Sequence, residues 1–426
     1  MERCVAAKDV AVDANRLWAD LMALAEITDP RLPYTRRSFS PLFFEGRRWL
    51  AEKFAEAGLT VRTDPAGNLI GQLPGKLPAL GVIAVGSHSD TVPSGGRFDG
   101  IAGVVNGLEI VRALRDAHVR LDHTIEVIDF LAEEPSEYGL SCIGSRGMSG
   151  ALEPRMLDMT NSVGETLRDG LRRVGGDPDH LDAARRSDIE AFIELHIEQG
   201  IVLESQSLDV GIVTAIVGIR RIEIVFVGEA DHAGTTPMAL RHDALVAGTR
   251  TIAAVRRIAE QMAQEEQDYF VATVGVLTIE PGAANVVPSR CRMVIDARTT
   301  NRALIERFTQ IIERESGQHA ADARVSRAPL AILSDGPPAS CDPTLRAVME
   351  QSARELDLTT LDIASGAGHD TAFMTRVCPS GMVFVPCRQG KSHSPEEWAD
   401  ADAIAAGAAV VLQSVKTLDR SLPRKS

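Results

Sequence analysis

A chain of 426 residues with 44% apolar and 24% charged side chains is globular in composition and exceeds a single core, at about 100–200 residues per domain. Its formal net charge of −14 opposes binding to phosphate backbones, which takes clustered lysine and arginine, so no nucleic-acid partner is expected. No uninterrupted apolar run reaches the roughly 20 residues that span a bilayer, and Met1–Asp13 mixes charges unlike a secretory leader; the expectation is a cytoplasmic protein with no membrane partner.

In chain order, Ser40-Pro41 supplies an N-cap and a first-turn proline, and Phe43, Phe44, Trp49, Leu50 and Phe54 recur near helical spacing until Gly58. Thr60–Thr63 and Asn68–Leu73 predict short strands. The continuous apolar stretches Leu80–Val85 and Thr124–Leu131 predict strands buried on both faces, with Gly100–Leu114 a crossover helix between them. That is a βαβ unit and implies a mainly parallel sheet. After Ile201–Leu203 the texture changes. Ile212–Val227 is rich in β-branched residues, and Pro237–Gln264 predicts a long helix with Leu245, Ile252, Val255, Ile258 and Met262 on one face. Val271–Ile279 and Arg292–Asp296 predict strands, and Arg302–Glu315 a helix. This β-α-β-β-α-β order predicts a ferredoxin-like insert. The expected class is therefore α/β: a mainly parallel-sheet catalytic domain of residues 1–211 and 330–426, interrupted by an α+β domain of residues 212–329. The helix Pro343–Leu356 and strand Gly381–Val385 return to the first domain, and Asp419–Ser426 is expected to fray. The six cysteines (Cys4, Cys142, Cys291, Cys341, Cys378 and Cys387) form no CxxC pair and are expected to be reduced and mostly buried.

The chemistry concentrates where strands end. His88, Ser89 and Asp90 follow the first buried strand, and Asp99 sits just before the crossover helix, where open α/β sheets collect ligands. Asp90 is spaced to hold the second ring nitrogen of a metal-bound His88, and Asp99 to bridge two ions. The second buried strand ends in Glu133-Glu134. Adjacent carboxylates at a strand end point apart, so Glu134 can ligate while Glu133 serves the attacking water as a base. With His196 and His393 the set becomes His88, Asp99, Glu134, His196 and His393, which suits two borderline divalent ions about 4 Å apart. Zn²⁺ is the first expectation, and Mn²⁺, Co²⁺ or Ni²⁺ fit the same donors. Gly-Gly-Arg-Phe-Asp-Gly at 95–100 is neither a P-loop nor GxGxxG, which disfavours a nucleotide-binding module.

These motifs, with Glu194-Leu195-His196-Ile197-Glu198-Gln199-Gly200, Ala230–Met238, Asn285–Ser289, Asp296-Ala297-Arg298, Gly366–Asp370 and Ser392–Glu396, run in one order across nearly the whole chain. Together they resemble the hydantoinase/carbamoylase branch of the M20 metallopeptidase family, which contains N-carbamoyl-L-amino-acid hydrolases, β-ureidopropionases and allantoate or ureidoglycolate amidohydrolases. The resemblance implies one ion on His88, Asp99 and His196, a second on Asp99, Glu134 and His393, and Glu133 as general base. It implies that His232 stabilises the oxyanion, that Asn285 and Arg298 bind a substrate carboxylate, and that Gly366, Gly368, His369 and Gln199 line the substrate site. It also implies a homodimer joined through the inserted domain, which doubles as a lid.

The implied reaction is hydrolysis of a ureido or amide C–N bond in a small carboxylate-bearing substrate, by a hydroxide bridging the two ions. An N-carbamoyl amino acid would give the amino acid, carbon dioxide and ammonia. The nearest rival is an N-acyl amino acid amidase or dipeptidase using the same chemistry. Departures from the family pattern at Pro135-Ser136-Glu137-Tyr138, Arg220-Arg221 and Lys391 are expected to put extra charge near the cleft.

Overall fold

A computed structural model of the chain describes residues 10–265 and 268–423. The readings made on residues 1–9, Cys4 among them, and on residues 424–426 lie outside the described residues. The chain forms two compact units, one running to Thr214 and resuming at Cys341, the other Ala215–Ser340.

The first unit opens with α1 (Ala14–Ala25), capped by the Asp13 carboxylate, and α2 (Pro41–Glu56), where Ser40 accepts the Phe43 amide as its residue type predicts. There follow β1 (Thr60–Thr63), β2 (Leu69–Leu73), β3 (Val82–His88), α3 (Ile101–Asp116) and β4 (Thr124–Phe130). Next come α4 (Ile143–Met148), α5 (Leu167–Arg173), β5 (Ile189–Ile197), α6 (Val202–Gln206) and β6 (Val210–Ile216).

The inserted unit holds β7 (Gly218–Val227), α7 (Ala244–Glu265), β8 (Phe270–Glu280), β9 (Arg290–Thr299), α8 (Arg302–Ala323), β10 (Ser326–Arg327), β11 (Ala331–Gly336) and β12 (Ala339–Ser340). Its sheet is antiparallel, ordered β10-β7-β9-β8, with β11 also on β7. Along β9 buried and half-buried residues alternate strictly, the signature of a sheet covered on one face. Ile222, Ile224, Phe226, Met293 and Ile295 of that face pack with Val255, Ile258, Phe308 and Ile312 of the two helices.

Three sequence expectations change here. The β-branched stretch from Ile212 is two strands, broken at Val217. The helix expected from Pro237 starts at Ala244, because the Asp243 carboxylate accepts the Leu245 and Val246 amides and fixes the first turn there. Residues 238–240 form only a short 3₁₀ turn. The helix from Arg302 runs past Glu315 to Ala323, where Arg324 closes it in a left-handed conformation.

The chain returns to the first unit through α9 (Pro343–Glu355), β13 (Thr360–Ser365), α10 (Thr371–Met374), β14 (Ser380–Val385) and α11 (Ala401–Ser421). The sheet order is β1-β2-β4-β3-β5-β14-β6, with β13 also on β6. Its centre, β4-β3-β5-β14, is parallel, and the strands flanking it are antiparallel. Every residue of β3, β4 and β14 is buried, as strands covered on both faces require. One face carries α3, α1 and α11 around Val104, Leu108, Val111, Val411 and Val415. The other packs Ile128, Phe130 and Phe192 against Met148 and Met374. Each large apolar side chain so buried contributes about 1.5–3 kcal/mol.

α11 has the length and composition to cross a membrane, yet half of its most apolar stretch is buried in this core. Gly407 lets it lie directly on Leu195 and Val385. Nor does its end fray from Asp419: that carboxylate accepts the Asp122 and His123 amides and the His123 ring, pinning the last turn.

Candidate metal centre

Parallel strands aim their carboxyl ends the same way, so the loops leaving them converge. His88 ends β3, Glu133 and Glu134 follow β4, His196 lies one residue from the end of β5, and the His393 loop follows β14. Asp99 reaches the same place from the N-terminal side of α3. Gly100, at φ +69°, makes this approach feasible, because a Cβ there would collide with the His88 ring. Its N–H donates to His196 Nε2 at 3.1 Å.

Donor atoms of Asp99, Glu134 and His393 all lie within 4.8 Å of one another. His393 Nε2 is 3.3 Å from Asp99 Oδ2 and 3.2 Å from Glu134 Oε1. His196 Nε2 is 3.7 Å from Asp99 Oδ1, and the His88 and His196 rings are 5.9 Å apart. The expected ligands are thus gathered, with His88 Nε2 facing Glu133 Oε2 at 3.6 Å. His196 also belongs to a second donor group, with Glu194 and His369. Four residues here adopt left-handed backbone without being glycine: Ala132, Cys142, Gln199 and His393. Such strained positions gather where a site dictates side-chain direction.

The second ring nitrogens are fixed by backbone. His88 Nδ1 lies 3.0 Å from the Asp90 carbonyl and 3.6 Å from its carboxylate, while the carboxylate accepts the Glu133 amide at 3.2 Å. Asp90 therefore connects the His88 and Glu133 turns, by two different groups. His196 Nδ1 faces the Ile197 carbonyl at 2.8 Å. Arg36, fully buried, ties the turn after β3, through the Ser89 carbonyl at 2.9 Å, to the end of α1, through the Leu24 and Ile27 carbonyls; burial lowers its pKa to about 10. Gln199 donates to Asp99 Oδ1 at 2.6 Å.

Several residues absent from the expected set also converge. Glu194 accepts from Ser87 and from the Thr371 amide and hydroxyl. Its spacing of two from His196 on a strand puts both on one face, a signal present in the sequence. Asp370 accepts from Ser145, and the Cys142 thiol lies 3.6 Å from Glu133 Oε1. Glu397 holds the Phe98 and Asp99 amides.

The electrostatics call for cations. Burial, then the charge of Glu134, pushes Glu133 well above the ordinary carboxylate range; burial and neighbouring acids do the same to Asp90 and Asp370. Burial lowers His88 to about 4 and His369 well below its usual value. The exception is His393, pushed up to about 11 by its hydrogen bonds to Asp99 and then Glu134. Asp90 Oδ2, Asp370 Oδ2 and His369 Nδ1 are buried without a hydrogen-bond partner. Buried polar atoms are nearly always satisfied, and hard or borderline divalent ions suit this oxygen and imidazole set.

Of the residues expected to bind substrate, Gln199, Gly366, Gly368 and His369 are in this unit, with Gly366 half-buried and His369 Nε2 meeting Ser365 Oγ at 2.8 Å. Gly368 is exposed, and a Cβ on it would meet nothing. In the inserted unit, His232 is exposed, and its Nδ1 accepts the Gly234 and Thr235 amides at 3.0 and 3.2 Å. Asn285 pairs its carbonyl with the Ala233 amide, bringing the His232 and Asn285 segments together. Arg298 Nε meets Asp296 at 2.8 Å.

The extra charges expected from the departures are neutralised locally. Arg220 is buried between Glu306 and Asp335, Arg221 pairs with Asp296, and Lys391 pairs with Glu396. Glu137 meets Arg173, and Tyr138 is buried with its hydroxyl on Glu165 at 2.7 Å. Each of these charges has a partner in the structure.

An α/β unit that collects carboxylates and imidazoles at its parallel strand ends, with an α+β unit inserted, has the architecture of a metal-dependent hydrolase. Residues 84–417 match peptidase family M20/M25/M40, and the chain belongs to that family. It is 39% identical over 414 residues to the N-carbamoyl-L-amino-acid amidohydrolase of Paenarthrobacter aurescens, covering 96% of this chain and 98% of that one. Ureidoglycolate hydrolase of Arabidopsis thaliana is 34% identical over 414 residues, covering 95% and 86%. Among solved structures, an amidase of the hydantoinase/carbamoylase family from Burkholderia multivorans matches with a TM-score of 0.90 at 34% identity, covering 96% of this chain and 98% of that one.

Proposed function

We propose that this protein is an amidohydrolase that cleaves the ureido C–N bond of an N-carbamoyl-L-amino acid or a related ureido acid. The observation that carries this is the meeting of Asp99, Glu134 and His393 beside His196 and His88, in a chain similar end to end to carbamoyl and ureido hydrolases. These five residues would hold two divalent ions, zinc first among the candidates, and Asp99 would be shared. When bound, such ions lower the pKa of water and polarise a carbonyl.

The chain's own groups do the rest. Glu133, with its proton affinity raised by burial, takes a proton from the attacking water and returns it to the leaving nitrogen. His232 Nδ1 is occupied as an acceptor by two amides, so its ring proton sits on Nε2. That nitrogen is then a ready donor to the developing oxyanion. Arg298 and Asn285 orient the substrate carboxylate, while Gln199, His369 and the Gly366–Gly368 backbone line the ureido end. The unit Ala215–Ser340 serves as a ferredoxin-like lid and as the homodimer contact. Buried, unpaired cysteines accord with a reducing cytoplasm.

The test is product release from N-carbamoyl, N-acyl and ureido acids, with the enzyme loaded in turn with Zn²⁺, Mn²⁺, Co²⁺ and Ni²⁺. Ammonia and free amino acid in equal amounts from the carbamoyl substrate support the reading. Amine released from acyl substrates alone would replace it with an acyl-amino-acid amidase.

A further inference from the structure

Glu397 is fully buried, four residues after His393, and its carboxylate is spent on joining two distant loops. Oε1 accepts the Phe98 amide at 2.8 Å and the Asp99 amide at 3.1 Å. Oε2 accepts the Ser392 hydroxyl at 3.0 Å, and that hydroxyl also lies 3.3 Å from Asp99 Oδ1. The flanking side chains close the same seam. Phe98 stacks on Trp18 at 5.5 Å and meets Trp398 edge-on at 5.7 Å, and Arg97 lies over Tyr34 and Trp398. Gly96 leaves the room required, since a Cβ there would sit in the Glu397 carboxyl group itself.

We infer that Glu397 is a positioning residue that clamps the Asp99 loop to the His393 loop and so sets the shared and terminal ligands of the ion pair as one unit. The inference rests on the reading that Asp99 and His393 are ligands. Its physical basis is the short lever: Glu397 bonds the amide of Asp99 and the hydroxyl of Ser392, each on or beside a ligand, so little freedom separates the clamp from the donor atoms. Outer partners of metal ligands commonly control affinity by about 10–100-fold.

The experiment measures ion stoichiometry and affinity, and the visible absorption of the Co²⁺-loaded full-length protein. Glu397→Ala is expected to bind Co²⁺ about 10–100-fold more weakly with an altered spectrum. Gly96→Ala should do the same, because it displaces the Glu397 carboxyl without removing it. Glu397→Gln should stay near the parent, since its amide oxygen can accept both backbone amides and its NH₂ can face Ser392. Parental affinity and spectrum in Glu397→Ala overturn the inference, and if that variant does not fold, parental behaviour in Gly96→Ala does so. Glu397→Gln as weak as Glu397→Ala also overturns it, by showing that charge and not geometry is required. Asp99→Ala and His393→Ala separate the two levels: full ion content in both would sink the ligand reading itself.

Discussion

One acid cluster in each unit is balanced in its own way: partly exposed acids by arginine in the inserted unit, and buried acids without arginine at the strand ends of the first. Elsewhere in the first unit, Asp129, Glu126 and Glu109 do pair with Arg47, Arg186 and Arg16. In the inserted unit, Asp335 and Glu306 meet the guanidinium groups of Arg220 and Arg302, and Asp335 is held down to about 2 by its hydrogen bonds to Arg302 and Arg220, against burial. In the first unit, no arginine or lysine hydrogen-bonds to Asp90, Asp99, Glu133, Glu134 or Asp370 among the described residues. Histidines, amides and the hydroxyls of Ser145 and Ser392 are their partners, and burial drives Glu133, Asp90 and Asp370 upward. Taking a charge out of water costs several kcal/mol, so a chain keeps it only where a counter-charge comes. Within the inserted unit that counter-charge is arginine, and the result is structure. At the strand ends of the first unit it has to come from outside, which marks a metal centre.

The largest effect expected from this contrast is at Glu133. Glu133→Gln removes a carboxylate whose proposed task is proton transfer and leaves all five ligands, so turnover should fall by about 10²–10⁴-fold with ion content unchanged. Steady-state rates beside metal analysis check both halves. Retained activity would remove Glu133 from the mechanism, whereas lost ions would make it a ligand.

Removing the ions should expose the unpaired acids next. At a free ion concentration of about 100 times Kd, binding to the folded state alone adds about 2.7 kcal/mol per site. Chelation should therefore lower the midpoint of denaturant unfolding and abolish activity, with both restored by adding Zn²⁺ or Co²⁺. A midpoint indifferent to chelator would mean that His393 and the amides already satisfy the acidic cluster.

The same contrast explains what was legible in the sequence. His88, Asp99, Glu134 and His196 announce themselves because each lies at the end of an apolar strand or the start of a helix, and strand ends are readable from local pattern. Glu194 was readable in principle from its spacing to His196. Glu397 was not, because nothing local says that its carboxylate will meet amides 298 and 299 residues earlier. The partners of Arg220 were not readable for the same reason: Glu306 and Asp335 lie 86 and 115 residues on from it. The start of α7 depended on a carboxylate cap at Asp243 that competes with helix propensity from Pro237 onward. Periodicity captures elements, and pairing between elements decides which charges remain available.

A smaller effect is expected at Arg220. Arg220→Ala leaves Glu306 and Asp335 with Arg302 alone between them, beside the space of a removed buried side chain. With both acids partly solvated, the loss should be about 1–3 kcal/mol by urea unfolding, at unchanged ion content. Preference among neutral and acidic carbamoyl substrates should not move. A shift against acidic substrates would mean that Arg220 acts on the substrate and is not consumed by its ion pairs.

The smallest effect is in the pH dependence of the ion-free protein, where the two units should pull in opposite directions. Asp335 has a folded value of about 2, below its ordinary 3.8. The stability it contributes is fully present above 3.8 and is lost as pH falls through about 2. Solvent screening at its partly exposed carboxylate limits this to about 1 kcal/mol. Glu397 is raised from 4.5 to about 7, by burial first and then the charge of Asp99. Its contribution is fully present below 4.5 and is lost as pH rises through about 7. Melting temperature in chelator should therefore peak at mildly acidic pH and fall on both sides. Arg220→Ala should flatten only the acid limb, and saturation with Zn²⁺ only the neutral limb, because ions supply the counter-charge that protonation otherwise replaces. If Zn²⁺ left the neutral limb unchanged, the raised acids would not be facing the ions, and the separation of the two charge clusters into structural and metal-binding would fail.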